Sequence, residues 1–133
     1  MFNTLKEELS MDAYKEILRL IDDYFVGVYT GNVDLLKSIF DPHAQIFGVV
    51  DEVQYQKPIA MYLDGVAARK SPKDLNEPFL MKTLSVDVMG HIASVRLYSP
   101  MLTFKYYLYL TLVRRPSGWT IVNKTYATPV PTI

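Results

Sequence analysis

Large apolar residues near the start of the chain recur at intervals of three and four positions, which is the spacing of one helical face. Charged residues occupy most positions between them, so the pattern predicts an amphipathic helix that packs against a core. We expect Ser10 to cap this helix and Gly31 to end it. The apolar positions are Tyr14, Ile17, Leu18, Ile21, Tyr24, Phe25 and Val28.

A second, shorter helix is predicted directly after the first. Asn32 can cap it, and its apolar face includes Leu36 and Ile39. The pair Asp41-Pro42 should end it, because proline restricts the backbone of the residue that precedes it.

A third helix is predicted from Pro58, whose fixed φ suits the first helical position. Its end carries a basic cluster of Arg69, Lys70 and Lys73. We interpret this cluster as a solvated helix end, with an anion site as the alternative. The apolar face of the helix consists of Ile59, Tyr62, Leu63 and Val66.

Strand patterns fill most of the remaining chain. The first two strands flank the turn Asp51-Glu52, and Gly90 and Gly118 lie in turns between later strands. The predicted strands cover residues 44–50, 53–56, 79–88, 92–98, 102–113 and 119–126. Helices followed by an antiparallel meander indicate the α+β class.

The strand over residues 104–113 carries large apolar or aromatic side chains on both faces, with Tyr106, Tyr107 and Tyr109 alternating between them. A sheet with one face in water alternates apolar with polar residues, so both faces should be covered. Three helices cover one face. The other face is expected to meet a second copy of the chain, which predicts a homodimer through the sheet.

The composition of the chain argues against several classes of function. The 133 residues fit one domain over 1–133, with 1–9 and 127–133 as peripheral tails. Fourteen basic and fourteen acidic side chains leave no basic field for nucleic acid. The absence of cysteine and the presence of only two histidines argue against a metal site, and no cofactor is expected. Without a long apolar segment for a signal peptide or a membrane, we expect a cytoplasmic protein.

Four stretches, in this order, carry a family resemblance: Tyr29-Thr30-Gly31-Asn32, Phe40-Asp41-Pro42-His43-Ala44, residues 86–93, and residues 118–124. Together they resemble the nuclear transport factor 2-like superfamily. The likeness is nearest to its putative lumazine-binding branch, which is similar to the SnoaL-like cyclases and the ketosteroid isomerases. The resemblance implies a cone-shaped roll with three N-terminal helices packed in a curved, mainly antiparallel sheet. It also implies a pocket inside the cone and dimers through the outer sheet face.

The resemblance also allows a check of the isomerase groups. In ketosteroid isomerases, a tyrosine of the first helix and a protonated aspartic acid stabilise an enolate while another aspartate carries the proton. Tyr24 falls at the position of that tyrosine, but Gly48 stands at the general-base position and residues 104–113 contain no carboxylate. Many lumazine-binding relatives place an acid where Leu108 stands here. The steroid-isomerase mechanism is therefore not expected.

Three residues are candidates for catalysis: Tyr24 as a hydrogen-bond donor, with His43 or Asp41 as the proton carrier. The alternative is that Asp41-Pro42-His43 is a surface turn with a solvated histidine.

A ligand pocket is expected to use tyrosine rings, which combine an apolar body with a hydroxyl group. The alternative is that these rings belong to the core or its rim. Lys105 and Lys124 could reach an anionic group of a ligand, but we expect them to extend to the sheet edge. The predicted ligand-binding residues are Tyr24, Ile46, Gly48, Tyr55, Tyr62 and Met81.

Three hypotheses of function remain. The first is a homodimeric small-molecule-binding protein with an apolar or aromatic pocket inside the cone. The alternatives are an enzyme of the isomerase, cyclase or dehydratase type acting on a small hydrophobic substrate, and a structural dimerisation domain. A cavity well under about 300 Å³ would favour the structural domain. A His43 outside the cavity would remove the expected proton carrier.

Overall fold

The computed structural model describes residues 2–129, with side chains from residue 11 onward. Among these residues, no helix combines the length and apolar character that crossing a membrane requires. The helices are α1 (Phe2–Thr30), α2 (Val33–Ile39) and α3 (Ile59–Ala68). The strands are β1 (Phe40–Val50), β2 (Val53–Pro58), β3 (Lys82–Met89), β4 (Ile92–Met101), β5 (Phe104–Arg115) and β6 (Gly118–Ala127).

All six strands form one sheet in the order β2-β1-β6-β5-β4-β3. Each neighbouring pair is antiparallel except β1 and β6, which run parallel. The parallel pair arises because the chain closes its meander by laying the last strand beside the first. The α+β class and the mainly antiparallel, curved sheet around three helices are confirmed.

Local expectations hold at α2. The Asn32 side chain accepts a hydrogen bond from the Leu35 backbone N–H at 3.0 Å, as expected of an N-cap. Leu36 and Ile39 are buried. The helix ends at Ile39, and Asp41-Pro42 does not form a turn. Because the residue before proline favours extended backbone, the segment continues directly as strand β1.

Several boundaries differ from the predictions by a few residues, and two of them have a structural consequence. Helix α1 begins at Phe2, so Ser10 lies inside the helix and is not its N-cap, and the predicted tail over residues 1–9 is helical from Phe2. Strand β3 begins at Lys82, since the segment before it crosses α1. There the Phe79 ring packs on Phe25 and Tyr29, with ring centroids 6.2 and 5.2 Å away. Met1 and residues 130–133, part of the predicted C-terminal tail, lie outside the described residues.

The inner sheet face and the helices share one core. The buried apolar side chains of α1, α2 and α3 meet those of β1, β4, β5 and β6 in a single cluster. The members with no exposed surface are Ile17, Leu36, Val95, Leu97, Leu110, Leu112 and Ile121.

The outer sheet face carries exposed aromatic side chains among polar ones, and none of the described helices covers it. On β5, Leu108 and Leu110 point into the core, whereas Tyr107 and Tyr109 are 48% and 54% exposed on the opposite face. Tyr98 of β4 lies opposite Tyr107, and their ring centroids are 4.9 Å apart. The expected two-sided distribution of apolar residues along β5 is therefore present.

Candidate functional site

A lysine lies buried at one end of the inner sheet face. Lys124 of β6 is only 5% exposed, and its Nζ donates a hydrogen bond to Tyr62 Oη at 2.8 Å. Its amino group is 4.3 Å from the ring centroid of Tyr62 and 5.3 Å from those of Tyr24 and Tyr126. Three aromatic faces thus surround one amino group, an arrangement that favours a cation.

An irregularity of β6 directs Lys124 inward. Leu112 pairs with Ile121 and Thr111 pairs with Asn123, so Val122 is an extra residue on β6. Such a bulge shifts the alternation of faces by one position. Without it, Lys124 would lie on the face opposite the buried Ile121.

Gly48 makes room for the last ring of the site. It pairs with Tyr126 across the parallel β1–β6 ladder. A Cβ atom at position 48 would overlap the Tyr126 ring, so only glycine allows the ring to lie over β1 in this position. Tyr106 packs edge-on against Tyr126 from β5, at a centroid distance of 5.6 Å.

The space left between these side chains is small. The cavity beside Lys124 has a volume of about 50 Å³. Water occupies about 30 Å³ per molecule in the liquid, so the cavity has room for a few heavy atoms. It is lined by Tyr24, Tyr62, Arg69, Ser99, Met101, Tyr106, Leu108, Lys124 and Tyr126.

Hydrogen-bond donors outnumber acceptors in this cavity. Arg69 Nη2 and Ser99 Oγ are buried and have no hydrogen-bond partner among the described residues. Ser99 itself is only 2% exposed. The lining contains no aspartate or glutamate. Lys70 and Lys73 are exposed, as predicted for a solvated helix end. Arg69, the third residue of that basic cluster, faces the cavity instead.

The buried groups shift one another's protonation. Burial lowers the pKa of Lys124, although the Tyr62 phenol acts in the opposite direction. Burial raises the pKa of Tyr62, but the charges of Lys124 and Arg69 outweigh it, so this pKa is below its ordinary value. Burial, then the Tyr62 phenol, holds the pKa of Tyr24 well above its ordinary value. Lys124 and Tyr62 can therefore share a proton, while Tyr24 stays a neutral donor.

The predicted ligand-binding residues separate into three groups. Tyr24 and Tyr62 line the cavity. Gly48 lies beneath Tyr126, and Tyr55 is 45% exposed at the sheet edge. Ile46 and Met81 are buried members of the apolar core and do not line the cavity.

The predicted proton carriers do not join Tyr24. His43 is exposed on β1, and neither His43 nor Asp41 lines the cavity. The Asp41 carboxylate instead accepts a hydrogen bond from the His43 backbone N–H at 2.7 Å and pairs with Arg115. That N–H and the Arg115 guanidinium hold the pKa of the Asp41 carboxyl below its usual value. The ion pair between Asp41 and Arg115 links β1 to the end of β5.

We expected Lys124 to extend to the sheet edge and Arg69 to be solvated, with contact to an anion as the alternative for each, but both line the cavity and Lys124 is buried. Simple alternation along β6 directs Lys124 outward, and the bulge that reverses it has no glycine or proline to mark it. Arg69 belongs to a run of basic residues, which by itself indicates a solvated helix end. Only the tertiary structure shows that Tyr62 of α3 supplies the acceptor for Lys124 of β6.

Comparison with known proteins gives a family match over most of the chain. Residues 12–127 match the family described as Putative lumazine-binding. No curated protein is significantly similar to the chain in sequence.

Solved structures share the fold over nearly their whole length. An NTF2-like protein of unknown function from Shewanella baltica OS155 is 25% identical, with 91% of this chain and 97% of that chain covered at a TM-score of 0.76. Another from Methylobacillus flagellatus KT is 22% identical, with 90% and 94% covered at a TM-score of 0.78. A protein called a putative dehydratase, of the NTF2-like family from Streptomyces avermitilis, is 13% identical, with 92% and 99% covered at a TM-score of 0.64.

Proposed function

We propose that this chain, which belongs to the Putative lumazine-binding family of NTF2-like proteins, is a small-molecule-binding protein. Its ligand places a polar head group in the cavity beside Lys124, and the body of the ligand lies at the cavity mouth. The observation that carries the proposal is the burial of the Lys124 amino group, which is 5% exposed and has no carboxylate partner among the side chains described.

Burial of an ionisable amine without a counter-charge lowers the stability of the folded protein. Such a residue is therefore expected to have a function other than stabilising the fold. A group in a cleft whose pKa is shifted by burial and by a specific neighbour, as that of Lys124 is, is a candidate for a functional site. The neighbouring Arg69 Nη2 and Ser99 Oγ also support a ligand site, because each lacks, among the described residues, a hydrogen-bond acceptor that a ligand would supply.

The cavity is smaller than the pocket that we expected inside the cone. At about 50 Å³ it cannot enclose a whole ring inside the cone. Tyr24, Phe40 and Tyr62 fill much of that interior with mutually packed rings. The half-buried Tyr106 and Tyr126 stand at the mouth, where an apolar or planar body can stack on them.

The volume taken alone favours the structural alternative, a dimerisation domain with no ligand. The two hypotheses differ in what Lys124 does. In a structural domain, Lys124 serves its hydrogen bond and ring contact with Tyr62, so Lys124→Met lowers the free energy of unfolding, and there is no affinity to lose.

Titration with lumazine, the compound in the family description, tests the proposal. We expect saturable quenching of protein fluorescence by wild-type protein and about a tenfold or larger loss of affinity in Lys124→Met. Lys105→Met is the matched control, because Lys105 is an exposed lysine of the neighbouring strand. If neither lumazine nor benzoate binds the wild-type protein, the proposal fails and the structural domain is favoured.

We further propose that the chain forms a homodimer through the outer sheet face. Support comes from aromatic side chains exposed in a single chain, including Phe47, Tyr107 and Tyr109 at 38%, 48% and 54%. Sedimentation should give twice the 15.3 kDa of one chain for wild type and a single-chain mass for Tyr109→Glu. A 15.3 kDa wild-type species at micromolar concentration would contradict the dimer.

A second candidate function is proton transfer on a small carbonyl compound. The observation that favours it is the 2.8 Å hydrogen bond between Lys124 Nζ and Tyr62 Oη, whose pKa values are both lowered. This pair takes the role first expected of His43 or Asp41. Deuterium exchange into the methyl group of pyruvate in D₂O, followed by NMR, tests it. Equal exchange rates for wild type and Lys124→Met would eliminate this candidate.

A further inference from the structure

We propose that the cavity beside Lys124 is a carboxylate site, so that the ligand is a small organic acid whose carboxylate is held by Lys124, Arg69 and Ser99. This inference rests on the proposed small-molecule-binding function and specifies the chemical class of the ligand. The body of the acid projects past Tyr106 and Tyr126 toward solvent.

The three groups come from different parts of the chain and converge on one space. Lys124 extends from β6, Ser99 from β4, and Arg69 follows directly after α3, where its backbone N–H still caps the helix through the Gly65 carbonyl at 3.2 Å. Each therefore has a separate structural reason for its position. All three are nevertheless oriented so that a polar atom is buried at the cavity.

The donors lack acceptors. The Lys124 ammonium has three N–H donors, and Tyr62 Oη is the acceptor that the structure gives it. Arg69 Nη2 and Ser99 Oγ have none among the described residues. A carboxylate offers two oxygens with about four lone-pair sites, which matches this surplus of donors.

No acidic side chain among the described residues lines this space, and Asp51, whose charge acts on the Tyr106 phenol, is not part of the lining. The acids nearest to Arg69 in the chain have other partners: Asp74 accepts from the Ser71 backbone N–H at 3.4 Å, and Glu77 accepts from the Leu102 backbone N–H at 2.9 Å. Asp64 lies on the exposed side of α3, beside a separate surface cleft. Two cationic side chains thus face one cavity without a counter-charge, and a bound anion neutralises them.

The cavity volume agrees with a head group of this size. About 50 Å³ accommodates the three heavy atoms of a carboxylate, with little space for attached carbon. A ring joined to the carboxylate then lies at the mouth, against the outer side of the half-buried Tyr106 and Tyr126 rings, which contact each other.

Calorimetric titration with benzoate and with benzamide tests the inference, since the two probes share their shape and differ in charge. We expect benzoate to bind wild-type protein at least about tenfold more tightly than benzamide, because hydrogen bonds to charged groups are the stronger ones. Arg69→Gln and Lys124→Met should each weaken benzoate binding about tenfold or more, and Ser99→Ala several-fold. Arg19→Gln of α1 and Lys105→Met of β5, exposed cations that do not line the cavity, should leave it unchanged.

The outcomes separate this inference from the function on which it rests. Equal affinity for benzoate and benzamide, or benzoate affinity unaffected by Arg69→Gln and Lys124→Met, would overturn the carboxylate site. If lumazine still bound with a dependence on Lys124, the small-molecule function would stand. Failure of benzoate, benzamide and lumazine alike would overturn both. The wild-type comparison of the two probes decides the matter even if a variant does not fold.

Discussion

At one end of the inner sheet face, Leu112 of β5 pairs with Ile121 of β6, and both side chains are fully buried in the apolar core. At the other end, the same two strands carry Tyr106, Lys124 and Tyr126 around a cavity of about 50 Å³. We call these the closed end and the cavity end. One bulge at Val122 separates them along β6.

The comparison shows two uses of one sheet. The closed end contains apolar side chains that stabilise the fold by leaving water, and near it one buried donor, Trp119 Nε1, has no partner among the described residues. The cavity end buries an amine, a guanidinium nitrogen and a hydroxyl group that lack full hydrogen bonding among the described residues. Binding sites often retain such locally unfavourable groups, because their energy is recovered only when the ligand is present.

The largest expected effect lies at the closed end. Leu112→Ala should lower the free energy of unfolding by about 2–5 kcal/mol, because it removes buried methyl groups and leaves a cavity. Urea unfolding followed by circular dichroism measures this. The neighbouring Thr111→Ala, on the exposed face of the same strand, should change stability by less than about 1 kcal/mol. Similar values for the two variants would contradict the distinction between buried and exposed positions.

Most of the fold was predictable because its elements follow local patterns. The Asn32 cap, the buried face of α3 and the alternation along β5 all depend on neighbours within a few residues. The start of α1 was not predicted, because Ser10 is a typical N-cap residue in the sequence although the helix continues through it.

The cavity end was only partly predictable. Tyr24 and Tyr62 were expected to face the interior, and they do. The inward direction of Lys124 depends on the bulge, and the inward direction of Arg69 depends on how α3 ends against the sheet. Both are results of long-range pairing, which period and propensity do not encode.

At the cavity end, in contrast to Leu112→Ala, we expect a substitution that increases stability. Lys124→Met should raise the free energy of unfolding by about 1–3 kcal/mol, because an apolar side chain of similar length needs no counter-charge. Thermal and urea unfolding measure this change, and the exposed Lys105→Met should stay within about 0.5 kcal/mol of wild type. A strongly destabilised Lys124→Met would mean that the amine is a structural element, and the contrast between the two ends would be lost.

The pH dependence sharpens the same contrast. Because burial lowers the folded-state pKa of Lys124, the folded protein binds fewer protons than the unfolded chain between the two pKa values. The free energy of unfolding therefore rises with pH across that interval, and the lowered pKa of Tyr62 acts in the same direction. The charged and titratable groups that act on Lys124 or border it are Tyr24, Lys57, Tyr62, Arg69 and Tyr126.

The stability advantage of Lys124→Met over wild type should accordingly shrink between about pH 7 and about pH 9.5, below the ordinary lysine pKa. Urea unfolding of both proteins at the two pH values gives the difference directly. The raised pKa of Tyr24 opposes the trend in the wild-type protein only as the pH passes the ordinary tyrosine value. A constant or growing advantage would show that the folded-state pKa of Lys124 is not lowered.

The smallest expected effect concerns two serines of one strand. Ser99 is buried with an unpartnered Oγ among the described residues, whereas Ser94 is exposed on the other face of β4. Ser99→Ala should leave stability unchanged or raise it by up to about 1 kcal/mol, since it removes a buried hydroxyl group without a partner. Ser94→Ala should fall within about 0.5 kcal/mol of wild type.

If Ser99→Ala instead lowers the free energy of unfolding by more than about 1 kcal/mol, the hydroxyl group has a structural partner. In that event the cavity end would keep Lys124 and Arg69 as its free donors and lose Ser99 from the ligand site.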